Sequence, residues 1–162
     1  MNCMPIVHFF KFLFLICGVS ISILSHLPAY CTQWKVGTIQ ELKAALNQAE
    51  QSDVITLQDG TYHIENQFAL TFSQHGITLQ SESNDPLKVS IQGQGMLGNV
   101  NHGFWVNRNN ITIQGVTIED VANHCIQLDV NTDNFHLKNC ILRDAYEQLF
   151  KVPYSQDVSD PS

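Results

Sequence analysis

The chain of 162 residues has 15 Asp/Glu against 8 Lys/Arg, a formal charge of −7, and 44% apolar residues, enough for one domain with its own core. Such an acidic surface excludes ordinary nucleic-acid binding, which needs clustered cations. Of five cysteines, Cys3, Cys17 and Cys31 fall in the first 31 residues, so the remaining two exclude a disulfide framework.

The chain begins with a lone cation at Lys11, an apolar run from Phe12 to Leu24 and a helix-breaking Pro28. Residues 1–31 therefore read as a secretory signal peptide, cleaved near Cys31 and leading to a secreted or periplasmic protein with no membrane association after cleavage. A lipoprotein with Cys31 modified, or an N-terminal anchor, are the alternatives; bulky Tyr30 argues against the first, and the short, serine-spotted apolar run against the second. Residues 32–162 then keep all the carboxylates and all cations but Lys11, a formal charge of −8.

The stretch GTIQELKAALNQAEQSD predicts a helix over about 38–51. Thr38 is its N-cap and Glu41 the capping-box partner. Ile39, Leu42, Ala45, Leu46 and Ala49 share one apolar face that needs a partner.

Beyond it, over about 53–152, the pattern is strand-like. VITL, ALTF, GITLQ, KVSIQG, FWVN, NITIQG, VTIEDV, CIQLDV, NFHLKN, CILRDA and QLFKV alternate apolar and polar residues between Gly, Asn and Asp. Shifted by 24 places, Asn110 falls on Asn134, Ile111 on Phe135, Ile113 on Leu137, Val116 on Cys140 and Ile118 on Leu142. The same shift sets Asp120 on Asp144, Ile126 on Phe150 and Leu128 on Val152. His102–Val106 resembles His124–Leu128, and GITLQ at Gly76 matches NITIQ at Asn110 with an insertion at SESNDPLK.

A repeat of this length, built from short strands, fits one coil of a parallel β-helix. Residues 24 apart then lie on each other about 4.8 Å away, inward positions forming apolar columns. Asn110 over Asn134 makes an amide ladder at a turn requiring left-handed backbone. The expected fold is all-β: a right-handed, single-stranded parallel β-helix of about four coils, its amphipathic N-terminal helix capping the first. An antiparallel sandwich is the alternative, though it does not predict the 24-residue register.

With the helix, SDVITLQDGTYHI, HGITLQSES and the NITIQGVTIEDV coils, the chain resembles the right-handed parallel β-helix, or pectate-lyase-like, superfamily. Its opening is most similar to alginate-lyase and chondroitinase-B type polysaccharide lyases, and the resemblance covers most of residues 38–152. It implies extracellular or periplasmic work on acidic polysaccharide by β-elimination. In those lyases the catalytic cations and calcium carboxylates sit on middle coils that are not matched here. The expectation is an N-terminal portion lacking the catalytic coils, inactive alone. Alternatives are a non-catalytic glycan-binding or surface module, or an inactive remnant. The last coil then has an uncapped edge, a route to self-association.

Elimination from a uronate needs a carboxylate-neutralising cation or metal, a base and an acid. The outward positions expected to offer such groups are Thr112, Gln114, Glu119, Gln127, Asp129, His136, Lys138, Arg143 and Lys151. Gln127 and Lys151 stack, with Asp129 two places along, as a small saccharide-binding patch to which Arg143 adds a cation. Glu119 beside Arg143 reads most simply as a cross-strand ion pair. Asp120 over Asp144 is the candidate Ca²⁺ site, the alternative being turn-capping carboxylates. No other cofactor signature is evident. The histidines show no metal-ligand spacing, and His102 and His124 occupy equivalent turn positions. Trp34 and Trp105 are packing residues or sugar platforms. Cys125 and Cys140 pair only if exported; the register points Cys140 inward, which favours a free thiol.

Overall fold

The computed structural model describes residues 31–153, so the predicted leader lies outside the described residues except for Cys31. Strand β1 (Gln33–Val36) comes first, followed by helix α1 (Ile39–Gln48). Eleven strands follow: β2 (Val54–Leu57), β3 (Gly60–His63), β4 (Thr78–Ser81), β5 (Val89–Gln92), β6 (His102–Val106), β7 (Thr112–Gln114), β8 (Thr117–Glu119), β9 (His124–Leu128), β10 (His136–Lys138), β11 (Ile141–Leu142) and β12 (Gln148–Lys151). They form three parallel sheets, ordered β1-β2-β4-β7-β10, β3-β5-β8-β11 and β6-β9-β12. The result is an all-β parallel β-solenoid of about five turns with one short helix among the described residues. No described helix is long and apolar enough to cross a membrane.

The 24-place register holds over the last turn. Ile113 pairs with Leu137, Ile118 with Leu142 and Ile126 with Phe150. Earlier, Thr78 pairs with Thr112 because residues 82–88 and 93–101 form longer connections. The turn count exceeds the expected four because β1 supplies an additional strand, with Trp34 beside Ile55. Helix α1 occupies the path from β1 to β2.

Left-handed backbone recurs where the chain enters the first sheet: Ser52, Gly76, Asn110 and Asn134 all have φ between 50° and 75°. Asn134 Nδ2 donates to Asn110 Oδ1 at 3.0 Å, the expected amide ladder. Asp120 and Asp144, with φ of 56° and 54°, turn the chain out of the second sheet.

Helix α1 starts at Thr38 with both capping-box bonds made. It ends at Gln48 rather than near Ser52. The Asp53 carboxylate explains the early stop: it accepts from the backbone N–H groups of Thr32 (2.6 Å) and Glu50 (3.0 Å) and from Trp34 Nε1 (3.0 Å), drawing the chain into β2. Trp34 is thus tied into the fold. Leu42, Ala45, Leu46 and Ala49 are buried in the apolar core with Ile55, Leu79, Ile91, Phe104, Ile113 and Ile126.

Cys125 and Cys140 are free thiols. Cys125 is fully buried, and burial pushes its thiol up to about 11. Cys140 packs against the core, partly buried.

Candidate functional site

The third sheet carries two columns of side chains, one partly exposed and one that begins with buried residues. In one, Trp105 aligns with Gln127 and Gln127 with Lys151. All three are partly exposed, and Trp105 and Gln127 alternate with buried neighbours as outward positions should, whereas Lys151 stands between the exposed Phe150 and Val152. Gln127 Nε2 donates to the Leu128 carbonyl at 2.7 Å. The second column sets His102 beside His124, with Gln148 next in register. Phe68 precedes it, because the Phe68 carbonyl accepts from His102 N at 3.0 Å.

The rings in these columns touch. Phe68 meets His102 edge-on at 5.0 Å between centroids, and His102 meets His124 at 5.0 Å. Phe68 and Trp105 are 5.3 Å apart. His102 and His124 begin strands β6 and β9, which corrects the expectation that they sit in turns. Burial pushes the His102 imidazole down to about 4, helped by His124. Burial also lowers His124, with Lys151 acting the same way and Glu147 and a side-chain hydrogen bond with Gln148 opposing. Both rings are therefore neutral at neutral pH.

Four buried side-chain nitrogens here lack a well-formed hydrogen bond, His102 Nδ1, Trp105 Nε1, and Nδ1 and Nε2 of His124, although the Gln148 side chain lies close enough to His124 to act on it as a weak hydrogen-bond partner. The Glu147 carboxylate lies 3.5 Å from His124 Nε2. An unmade bond of this kind costs roughly 1–3 kcal/mol per group, so their clustering calls for an account. The residues alone give only a faint signal for this feature: two histidines at equivalent points of a loosely matching stretch.

Arg143 follows β11, a strand of the second sheet, and is not part of the Gln127–Lys151 columns. Its Nε donates to Glu119 Oε2 and lies 3.7 Å from the Asp144 carboxylate. Glu119, expected outward, is 7% exposed. Burial works to raise its carboxyl, but hydrogen bonds from Arg143 and Ser90 outweigh this and hold it below the usual range. The pair is structural in the sense expected of stacked opposite charges.

Asp129 accepts from the Val130 N–H at 2.7 Å, closing its own turn. Asp120 accepts from Gln92 Nε2 at 2.5 Å, while Asp144 has Arg143 near it. Among the described residues no group of three or more His, Cys, Asp or Glu is placed to hold a metal. The Asp120 and Asp144 column supplies left-handed turn residues with polar partners. A half-open pocket of about 70 Å³ lined by Lys43, Leu46, Asn47, Gln67, Leu70 and Thr71 is roomy enough for water.

No family model matches the sequence, and no curated protein matches it. Among solved structures, the PL6 family alginate lyase AlyGC superposes with a TM-score of 0.54 at 19% identity, over 74% of this chain and 17% of that one. The likeness is one of fold: both contain a parallel β-helix. This chain spans about a sixth of that lyase's length.

Proposed function

We propose that this protein is an exported, right-handed parallel β-helix of polysaccharide-lyase type that binds acidic polysaccharide on its outer face, with α1 capping the first turn. The observation that carries the reading is the Trp105–Gln127–Lys151 column: an aromatic face, an amide and a cation in register on a lyase-like solenoid. An aromatic ring offers a platform for the apolar face of a sugar, the amide suits hydroxyls, and the cation suits a uronate carboxylate.

Binding is favoured over catalysis on the described turns. Arg143 is engaged by Glu119 and Asp144, which leaves it poorly placed to neutralise a substrate carboxylate. We place elimination chemistry, and any Ca²⁺ that assists it, on turns beyond those described, the described turns being the N-terminal portion of such a solenoid. The apolar run at 12–24 supports export to the periplasm or the medium. Helix α1 supports the capping role because its buried face lies against β1 and β2.

A net charge of −7 repels a polyuronate at long range. Affinity must then come from short-range contacts, so raising the ionic strength to physiological levels should leave binding intact or strengthen it. The test is calorimetric titration with alginate, pectate and chondroitin sulfate, run beside an ultraviolet assay for unsaturated uronate ends. The expected result is saturable binding with no unsaturated product. Failure to bind any of the three would refute the reading, and product formation would overturn its non-catalytic part.

A further inference from the structure

The buried side-chain nitrogens without a well-formed hydrogen bond among the described residues all fall in one place, the His102, Trp105 and His124 cluster. His102 is 6% and His124 2% exposed, yet the His102 ring lies against Phe68 and Trp105, which are themselves half or partly exposed, and against the His124 ring. Phe68, half exposed, lies edge-on to His102 and beside Trp105. Lys151 and Glu147 act on both imidazoles electrostatically.

The chemistry of these groups selects the ligand. A neutral imidazole presents one N–H and one lone pair, and an indole presents an N–H. Their natural complement is a hydroxyl, which donates and accepts at once. An anion such as phosphate would favour imidazolium rings, and burial opposes that form here. A metal ion would need a third ligand converging on the two histidines, and no such trio is placed for it among the described residues. Aromatic faces beside hydroxyl-seeking nitrogens are the makings of a carbohydrate site.

We propose that this cluster is a uronate subsite: one sugar ring stacks on Trp105 and Phe68, its hydroxyls bond to the ring nitrogens of His102 and His124, and its carboxylate meets Lys151. The assignment rests on the polysaccharide reading above and locates it. Access to the His102 nitrogen past the half-exposed Phe68 ring, which lies edge-on to His102, requires that ring to shift within the site. No covalent step is involved.

The experiment replaces both tryptophans with 5-fluorotryptophan and follows ¹⁹F spectra during titration with uronate oligosaccharides prepared from alginate and from pectate. A neutral malto-oligosaccharide serves as control. Trp34, whose indole N–H is held by Asp53, is the internal reference for global change. The expected result is a saturating shift of the Trp105 resonance with Trp34 unmoved, together with shifted imidazole nitrogens of His102 and His124 in long-range ¹H–¹⁵N spectra. Trp105→Ala should bind about tenfold more weakly or worse. Lys151→Gln should weaken uronate binding and leave the response to the neutral sugar unchanged, and it provides the readout if Trp105→Ala does not fold. A moving Trp105 resonance and weakened binding by Lys151→Gln, with the His102 and His124 nitrogens unshifted, would overturn the subsite and leave the polysaccharide reading standing on the Trp105–Gln127–Lys151 column. Binding with Trp105 unmoved, or with full affinity in Lys151→Gln, would overturn both. Absence of calorimetric binding by every saccharide would remove both.

Discussion

Gly115 shows how tightly single residues are specified by stacking. Its φ of 69° is left-handed, and a Cβ there would come within 2.5 Å of Ser81 Oγ and 2.9 Å of Asn84 Cα. An L-residue in that backbone costs roughly 1–2 kcal/mol before any collision. Gly115→Ala should therefore lower the urea midpoint by the equivalent of at least about 2 kcal/mol. An unchanged midpoint would mean that the turn relaxes freely. The buried imidazoles make a second prediction at this scale, in which the sign matters. The unfolded chain takes up protons near pH 6.5, whereas folded His102 does not until about 4. The unfolded state thus binds more protons between those values, and stability should fall as pH drops through that window. His124, also lowered, acts in the same direction. Glu119 contributes separately: its stabilisation is present above the ordinary value of 4.5 and disappears as pH falls through its lower folded value. Denaturation midpoints across this range should slope downward in the wild type, and His102→Gln should flatten the slope between about 6.5 and 4.

At the scale of elements, α1 depends on its first turn. The Thr38 hydroxyl accepts from Glu41 N at 3.2 Å, and the Glu41 carboxylate accepts from the N–H groups of Gly37 and Thr38. Thr38→Ala should cost about 1 kcal/mol in chemical denaturation, while Thr38→Ser should cost little. This helix was readable because its capping box and apolar spacing are local signals. The last two turns were readable for a different reason: Ile113 over Leu137 and Asn110 over Asn134 repeat without insertion, so a simple shift finds them. Strand β1 was not, since Gln33 pairs with Val54 across a turn made of helix, which leaves no 24-place echo. The long connections around residues 82–101 likewise hid how Thr78 meets Thr112. For the candidate site, Gln127 and Lys151 were found as a stacked pair because they share the clean offset. The His102–His124 pair, 22 places apart, was seen as an echo, but its burial and poorly partnered nitrogens follow only from packing against Phe68 and Trp105. Arg143 shares only its charge with the patch, because it follows β11, which belongs to another sheet.

For the whole molecule, protection from water is graded along the solenoid axis. Ile113 and Ile126 are fully buried, whereas their partners one turn on, Leu137 and Phe150, are 36% and 38% exposed. The same column position therefore contributes less apolar burial in the β10–β11–β12 turn. In a solenoid, stability is approximately a sum over turns and the interfaces between them, so a turn with one described neighbour opens first. Ile113→Ala should cost about 2–5 kcal/mol, and Leu137→Ala clearly less. Amide exchange should be fastest in β10, β11 and β12 and slowest in β2, β4 and β7; uniform protection would contradict this gradient.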